Sequence, residues 1–263
     1  MTSALLRNNV TTAGAGARAI MFAHGFGCDQ HMWRFVEPAF RGDIKTVLCD
    51  HVGAGASELK AFDPEKYAGL AGYADDVVEI GRELDLRDAV FVGHSVSAMI
   101  GMLASLKAPG MFGALVMVGP SPRYIDDGDY VGGFSASDIE DLLDSMAENH
   151  MGWSNAMAPA IMGNPERAEL GEELAASFCR TDPDIAGHFA RATFLSDDRP
   201  HLPRVTTPTL VLQCKDDIIA GEQVGRYVHD NIKGSKYVLL DATGHCPNLS
   251  APAEVIREIR AFV

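Results

Sequence analysis

The sequence predicts an α/β fold with a mostly parallel central sheet flanked by helices. Short apolar runs such as Ala19–Ala23 and Ala89–Val92 are rich in β-branched and aromatic residues. They alternate with segments whose apolar residues recur at helical spacing, which is typical of βαβ units and of a sheet covered on both faces. Loops that carry glycine and polar residues follow several of these strands, as expected at the carboxyl edge of such a sheet.

The elements of the first half follow from apolar runs and helical periodicity. A polar segment at the amino terminus is expected to hold one edge strand. The predicted elements are an edge strand near Leu5–Val10, strand Ala19–Ala23, a helix over Gln30–Phe40, strand Thr46–Cys49, a helix with Tyr73, Val77, Ile80 and Leu84 on one face, strand Ala89–Val92, a helix over Ala98–Leu106 and strand Ala114–Val118.

The pattern changes between about residues 120 and 203, where strand signals are absent. An all-helical insertion between strands is expected to cover an active site. We therefore predict a single domain over residues 1–263, with a four-helix lid at about residues 123–200 inserted after the sixth strand. The predicted lid helices are Ser137–Asn149, Gly152–Met162, Pro165–Arg180 and Pro183–Leu195; strands Thr209–Cys214 and Lys236–Leu240 and a helix over Ala253–Phe262 complete the chain.

The composition limits the kinds of partner. The formal net charge is −14, from 22 basic and 36 acidic residues. Such a surface repels phosphate backbones and anionic headgroups, so neither nucleic acid nor a membrane is expected as a partner. No apolar run approaches the ~20 residues of a membrane span, and no signal-peptide pattern opens the chain, which favours a cytoplasmic protein. Five cysteines without a C-x-x-C pair predict free thiols, and no metal or cofactor is expected.

The stretch between strand Ala89–Val92 and the following helix reads Gly93-His94-Ser95-Val96-Ser97. A strand that reverses into a helix within so few residues requires a sharp turn flanked by small residues. This is the pattern of a nucleophile elbow with Ser95 at its apex, although Ser97 stands where G-x-S-x-G has its second glycine. The alternative is a buried serine in a tight turn of another kind of α/β protein.

A serine nucleophile needs a base within hydrogen-bond reach and an acid that orients the base. Ser95, Asp217 and His245 occur in the order Ser, Asp, His, each just past a predicted strand. We predict them as the catalytic triad. The pattern alone leaves Asp216 as a competing acid.

Two backbone N–H groups are predicted to form an oxyanion hole for the tetrahedral intermediate. One belongs to Val96, at the start of the helix. The other belongs to Phe26 in the loop His24–Gly27, where glycines allow the chain to approach the site closely. The alternative for this loop is an ordinary glycine-rich turn.

Several segments spread over nearly the whole chain carry a family resemblance. They are HGFGCDQ (24–30), GAG (53–55), FVGHSVSAMIGMLAS (91–105), VGPSPRY (118–124), GGF (132–134), LQCKDDIIA (212–220) and GHCP (244–247). Through them the chain resembles the α/β-hydrolases of the RsbQ-like group, which includes a bacterial stress sigma-factor regulator and the plant karrikin and strigolactone receptors. Two departures are Ser97, which matches the receptors but not the regulator, and Gly221, where proline is usual.

The resemblance implies an α/β-hydrolase fold and, through the DDIIA segment, assigns the triad acid to Asp217. It also implies a V-shaped lid over a hydrophobic substrate pocket. The residues implied to bound this pocket are Phe26, Tyr124, Phe134, Leu142, Trp153, Met157 and Phe194.

These features predict a serine hydrolase that cleaves a small hydrophobic ester- or lactone-like molecule and serves as a sensor. The resemblance further implies a PAS-domain protein phosphatase as a possible partner. The alternative is a stand-alone metabolic carboxylesterase without a signalling partner, which would use the same residues. A non-catalytic binding module is disfavoured by the complete set of triad residues.

Overall fold

A seven-stranded sheet forms the centre of the computed structural model, which describes residues 3–263. Strands β2 to β7 run parallel, and β1 pairs antiparallel with β3 at one edge, in the order β1-β3-β2-β4-β5-β6-β7. The predicted α/β fold with a mostly parallel sheet is confirmed. The strands are β1 Thr11–Ala13, β2 Ala19–Ala23, β3 Lys45–Cys49, β4 Ala89–His94, β5 Phe112–Val118, β6 Thr209–Asp216 and β7 Lys236–Thr243.

Helices connect the strands and fill the segment between β5 and β6. Each helix within the described part of the chain is too short or too polar to cross a bilayer. The α-helices are α1 Ala4–Arg7, α2 Leu70–Glu83, α3 Val96–Lys107, α4 Ala136–Glu148, α5 His150–Met162, α6 Ala168–Arg180, α7 Pro183–Phe194, α8 Glu222–Asn231, α9 Pro247–Ser250 and α10 Pro252–Phe262.

The central strands divide their side chains between two hydrophobic cores. Ile20 and Phe22 of β2 belong to one core with Trp33, whereas Met21 belongs to the other with Tyr73. Successive side chains of a strand point to opposite faces, so a strand buried on both sides contributes to both cores. This double burial gives the loops at the carboxyl edge of the sheet a rigid base.

Two predictions for the first forty residues are wrong. Leu5–Val10 does not form the edge strand, because α1 begins at Ala4, with the Ser3 hydroxyl accepting from the Leu5 N–H, and β1 follows later. The predicted helix over Gln30–Phe40 is instead two 3-10 helices, Gln30–Trp33 and Glu37–Phe40. Pro38 explains the interruption, since its ring clashes with the carbonyl of residue 34 in a continuous helix.

Four α-helices, α4 to α7, lie between β5 and β6, and we call this segment the helical insertion. Its helices begin and end within three residues of the predicted bounds. It follows the fifth strand and not the sixth, because β1 is the only strand that precedes β2 within residues 3–263. The first two residues of the predicted domain lie outside the described range.

Helix α8 is not among the elements predicted from the sequence. Gly225 in its middle lowers helix propensity. In the structure this glycine lies against β6, where an added Cβ would meet the Gln213 amide oxygen at 2.4 Å. The close approach explains why glycine occupies a helix interior at this position.

The close packing of β4 against α3 gives a first prediction. A Cβ added to Gly93 would lie 2.3 Å from the backbone oxygen of Ser97, so the helix would have to move. We expect Gly93→Ala to lower the free energy of unfolding by roughly 1–3 kcal/mol, the usual cost of overpacking. Urea unfolding followed by circular dichroism measures this change.

Gly187 in α7 is the matched control, since no atom lies within 4 Å of a Cβ built there. Gly187→Ala should raise the free energy of unfolding by about 0.5–1 kcal/mol, because alanine favours the helix. Equal effects of the two variants would contradict the close packing at Gly93.

Candidate active site

Ser95 lies at a sharp turn between β4 and α3, at the carboxyl edge of the sheet. Its backbone has φ 56° and ψ −125°, a conformation that a residue with a side chain rarely adopts. The Ser95 N–H donates to the Val118 carbonyl oxygen at 2.8 Å, which ties the turn to β5. The strained backbone projects the hydroxyl away from the sheet, as a nucleophile elbow requires.

The side chains of Ser95, His245 and Asp217 form one hydrogen-bonded row. The Ser95 hydroxyl lies 2.7 Å from His245 Nε2, and His245 Nδ1 lies 2.7 Å from Asp217 Oδ2. All three residues are buried. With Nδ1–H donating to the carboxylate, Nε2 is left as the acceptor that faces the hydroxyl.

The Asp217 carboxylate is held by backbone donors as well as by the imidazole. Its Oδ1 accepts hydrogen bonds from the N–H groups of Ile219 and Ala220. Burial alone would raise the pKa of Asp217, but the His245 ring and these two N–H groups outweigh burial and lower the pKa below its ordinary value. Asp216, the competing residue of the sequence analysis, is exposed at the end of β6.

His94, next to Ser95 in the elbow, holds the loop that carries His245. Its Nε2–H donates to the backbone oxygen of His245 at 2.7 Å, and the two rings lie 5.0 Å apart. Burial, reinforced by the neighbouring His245 ring, lowers the pKa of His94 to about 3. His94 is therefore neutral near pH 7. The sequence carries no signal for this contact, because it joins two segments that are distant in the chain.

The two predicted oxyanion donors belong to two segments that adjoin Ser95. Val96 is the first residue of α3, and Phe26 belongs to the loop that follows β2. Within residues 3–263 neither N–H donates to a protein acceptor. Gly25 brings the loop against the elbow, since a Cβ built there would lie 3.3 Å from the Ser95 Cβ. The role of these two groups stays a prediction.

A narrow cavity of about 30 Å³ opens beside Ser95 and His245. This volume holds about two water molecules. Its walls are mostly apolar side chains from the loops of the sheet and from the helical insertion. The lining residues are Phe26, Cys28, His94, Ser95, Tyr124, Trp153, Ile161, Leu174, Phe178, Thr193, Phe194, Ile219, His245 and Cys246.

Only part of the predicted pocket borders this cavity. Phe26, Tyr124, Trp153 and Phe194 do, whereas Phe134, Leu142 and Met157 do not and instead pack, half-buried, against the surrounding core. Leu174 and Phe178 of α6 line the cavity where these three residues were expected. Phe178 comes close because Gly27 has no side chain, and a Cβ there would lie 2.3 Å from the Phe178 ring.

Some lining residues could have been found from the sequence. Ile219 and Cys246 lie within two residues of Asp217 and His245, and Cys28 follows the glycine-rich loop, so proximity to the predicted site residues is a usable signal. Leu174, Phe178 and Thr193 carry no such signal, because their position depends on how the helices of the insertion are rotated.

The Phe26 ring joins the loop to the helical insertion. It contacts the rings of Phe189 at 5.7 Å, Phe194 at 5.8 Å, Phe178 at 6.0 Å and Trp153 at 6.3 Å between centroids. Aromatic pairs at such distances stabilise a structure beyond their buried area. The wall of the cavity is therefore continuous with the core of the insertion.

Comparison with known proteins relates the whole chain to one family. A family model described as "Alpha/beta hydrolase family" matches residues 20–258. The chain is 38% identical to the Karrikin insensitive 2 receptor CA of Petunia hybrida over 95% of this chain and 93% of that protein, and 37% identical to the strigolactone esterase D14 of Arabidopsis thaliana over 96% and 94%. A solved structure of a hydrolase from Oleispira antarctica superposes with a TM-score of 0.96 at 40% identity, covering 98% of this chain and 95% of that one.

The contact between Asp217 and His245 gives a second prediction. Asp217→Asn should lower kcat for p-nitrophenyl acetate by on the order of 10⁴-fold, because an amide that donates to Nδ1 forces the imidazole into the wrong tautomer. Asp216→Asn, which changes the adjacent exposed carboxylate, should leave kcat within about twofold of the wild type, since within residues 3–263 this carboxylate has no side-chain partner to lose. Loss of activity in both variants, or in neither, would contradict the assignment of the acid.

Proposed function

Because the chain belongs to the alpha/beta hydrolase family, we propose that it is a serine hydrolase that cleaves a small hydrophobic ester- or lactone-like molecule. The observation that carries this proposal is the hydrogen-bonded row of Ser95, His245 and Asp217 at a strained strand-to-helix turn. Each side chain of the row has the hydrogen-bond partner that nucleophilic catalysis requires.

The proposed reaction has two steps. Ser95 Oγ attacks the carbonyl carbon while His245 Nε2 takes the hydroxyl proton, and Asp217 stabilises the resulting imidazolium. The N–H groups of Phe26 and Val96 stabilise the oxyanion of the tetrahedral intermediate. His245 then gives its proton to the leaving alcohol oxygen. In the second step a water molecule, deprotonated by His245, attacks the acyl carbon; the bond from this carbon to Ser95 Oγ breaks, and His245 returns the proton to Oγ.

The chemistry of the cavity supports a small, uncharged substrate. Aromatic and aliphatic side chains make up most of its lining, and the lining residues within the described chain include no lysine, arginine, aspartate or glutamate. A charged substrate would lose its hydration without gaining an ion pair. The carbonyl oxygen of the ester or lactone would instead accept hydrogen bonds from the two backbone donors.

We further propose that the helical insertion acts as a lid and that the protein uses hydrolysis or ligand binding for sensing. Relatives named a receptor and an esterase at 37–38% identity support this use. A PAS-domain protein phosphatase as partner stays a prediction from the resemblance. In the alternative, a stand-alone carboxylesterase, simple esters would be turned over rapidly and repeatedly and no protein partner would be captured.

The nucleophile gives a third prediction. Ser95→Ala should abolish turnover of p-nitrophenyl acetate and leave the melting temperature within a few degrees of the wild type, since only one oxygen atom is removed. Incubation with diethyl p-nitrophenyl phosphate should add one diethylphosphoryl group to Ser95, located by peptide mass spectrometry. Ser121→Ala, another buried serine outside the row, is the control. Wild-type turnover or labelling elsewhere would overturn the mechanism.

The cavity wall gives a fourth prediction. Phe194→Ala should increase the ratio of kcat/KM for p-nitrophenyl hexanoate to that for the acetate by about tenfold, because it removes a ring from the lining. Phe134→Ala, which alters a phenylalanine outside the lining, should change this ratio by less than about twofold. An equal shift in both variants would contradict the lining described above.

A further inference from the structure

Ser97 uses its hydroxyl in a way that the usual glycine at this position cannot. The residue lies in the first turn of α3 and is fully buried. Its hydroxyl donates to the backbone oxygen of His24 and accepts from the Nε2–H of His51, which lies 2.7 Å away. Because a buried hydroxyl without partners is costly, two partners indicate a built contact and not a tolerated substitution.

His24 and His51 complete a closed polar network around this hydroxyl. The backbone N–H of His51 donates to His24 Nε2 at 3.0 Å, and His24 Nδ1–H donates to the Gly25 oxygen at 2.8 Å. Both histidines are buried, and their rings lie 4.6 Å apart. Burial lowers the pKa of His51 well below its ordinary value, and the neighbouring His24 ring lowers it further. The His51 ring therefore stays neutral.

The network joins the two halves of the proposed oxyanion hole. One donor, the Val96 N–H, belongs to the same helical turn as Ser97, and the other, the Phe26 N–H, belongs to the loop that begins at His24. The bond from Ser97 to the His24 oxygen therefore sets how far the loop lies from the helix. An oxyanion hole depends on donors held in place before the reaction.

We propose that Ser97, supported by His51, is a positioning residue that fixes the loop His24–Gly27 so that the Phe26 N–H points at the oxyanion. The inference rests on the proposed function, because it assigns Ser97 a part in the same reaction. It goes beyond that function by giving a role to the serine that departs from the G-x-S-x-G motif.

The test uses Ser97→Ala with Ser105→Ala as its matched control. Ser105 is also buried on α3, and its hydroxyl donates to the Met102 oxygen of the same helix, away from the loop. We expect Ser97→Ala to lower kcat for p-nitrophenyl acetate by about 10- to 100-fold, since loss of one whole donor costs about 10²- to 10³-fold. The pH midpoint of kcat/KM should not change, because the His245 ring keeps its bonds to Ser95 and Asp217.

A second measurement does not depend on activity. Amide hydrogen exchange of the peptide that spans residues 22–30 should be faster in Ser97→Ala than in the wild type and in Ser105→Ala, because the loop has lost its bond to α3. If the wild type fails to hydrolyse esters, the proposed function fails, and the exchange measurement still decides the role of Ser97.

His51→Phe gives a second route should Ser97→Ala not fold. Phenylalanine preserves the ring packing on Tyr73 and Phe189 but lacks the Nε2–H. It should lower kcat and speed exchange of residues 22–30, though less than Ser97→Ala, because the bond from Ser97 to the His24 oxygen remains. In the double variant, the fold decrease in kcat should be smaller than the product of the two single decreases, because both changes break the same network.

Three results would overturn the proposal. The first is a Ser97→Ala enzyme with wild-type kcat and wild-type exchange at residues 22–30. The second is a loss of kcat that Ser105→Ala shares. The third is a shift of the pH midpoint of kcat/KM, which would indicate that the change disturbs His245 and not only the loop.

Discussion

The strained backbone of Ser95 is the constraint on which the rest of the site depends. A positive φ at a residue with a side chain costs on the order of 1–3 kcal/mol and persists only where the surroundings enforce it. Here the bond from the Ser95 N–H to β5 and the close packing of Gly93 against α3 enforce it. A relaxed turn would direct the hydroxyl away from His245, and neither the hydrogen-bonded row nor the cavity would have a reactive group at its centre. The doubly buried sheet is what makes such enforcement possible.

Buried polar contacts bring the other loops to this turn. His94 holds the backbone of His245, and Ser97 holds the backbone of His24, so each residue flanking the Ser95–Val96 pair bonds a different loop. Both contacts are made to main-chain oxygens. A change of side chain in the bonded loop therefore leaves them in place, whereas a change in the elbow breaks them. The neutral state of His94 and His51 keeps the contacts the same over the ordinary pH range.

The parts that sequence alone can predict are those with local signals. The elbow, the sheet strands and the four helices of the insertion each have a periodic or motif pattern within a few residues. Ser95, Asp217 and His245 can be grouped because each follows a strand, although their roles stay predictions. Pro38 is likewise a local signal for the split of the helix, because proline interrupts a helix interior. The cavity lining has no local signal, because Leu174, Phe178 and Thr193 reach it through the mutual rotation of packed helices, which no single segment encodes. The Ser97 network depends on three segments distant in the chain.

The narrowness of the cavity limits which molecules it can hold. Because it has room for about two waters, a larger molecule fits only where side chains of the aromatic wall have moved apart. The apparent affinity for such a molecule is lowered by the fraction of the protein in that open state. Separating Phe26 from one or two of its ring neighbours, at about 0.5–1.5 kcal/mol each, lowers the affinity by roughly a factor of 2 to 160. A larger molecule must therefore offset this cost with its own contacts, a cost that a preformed pocket would not impose.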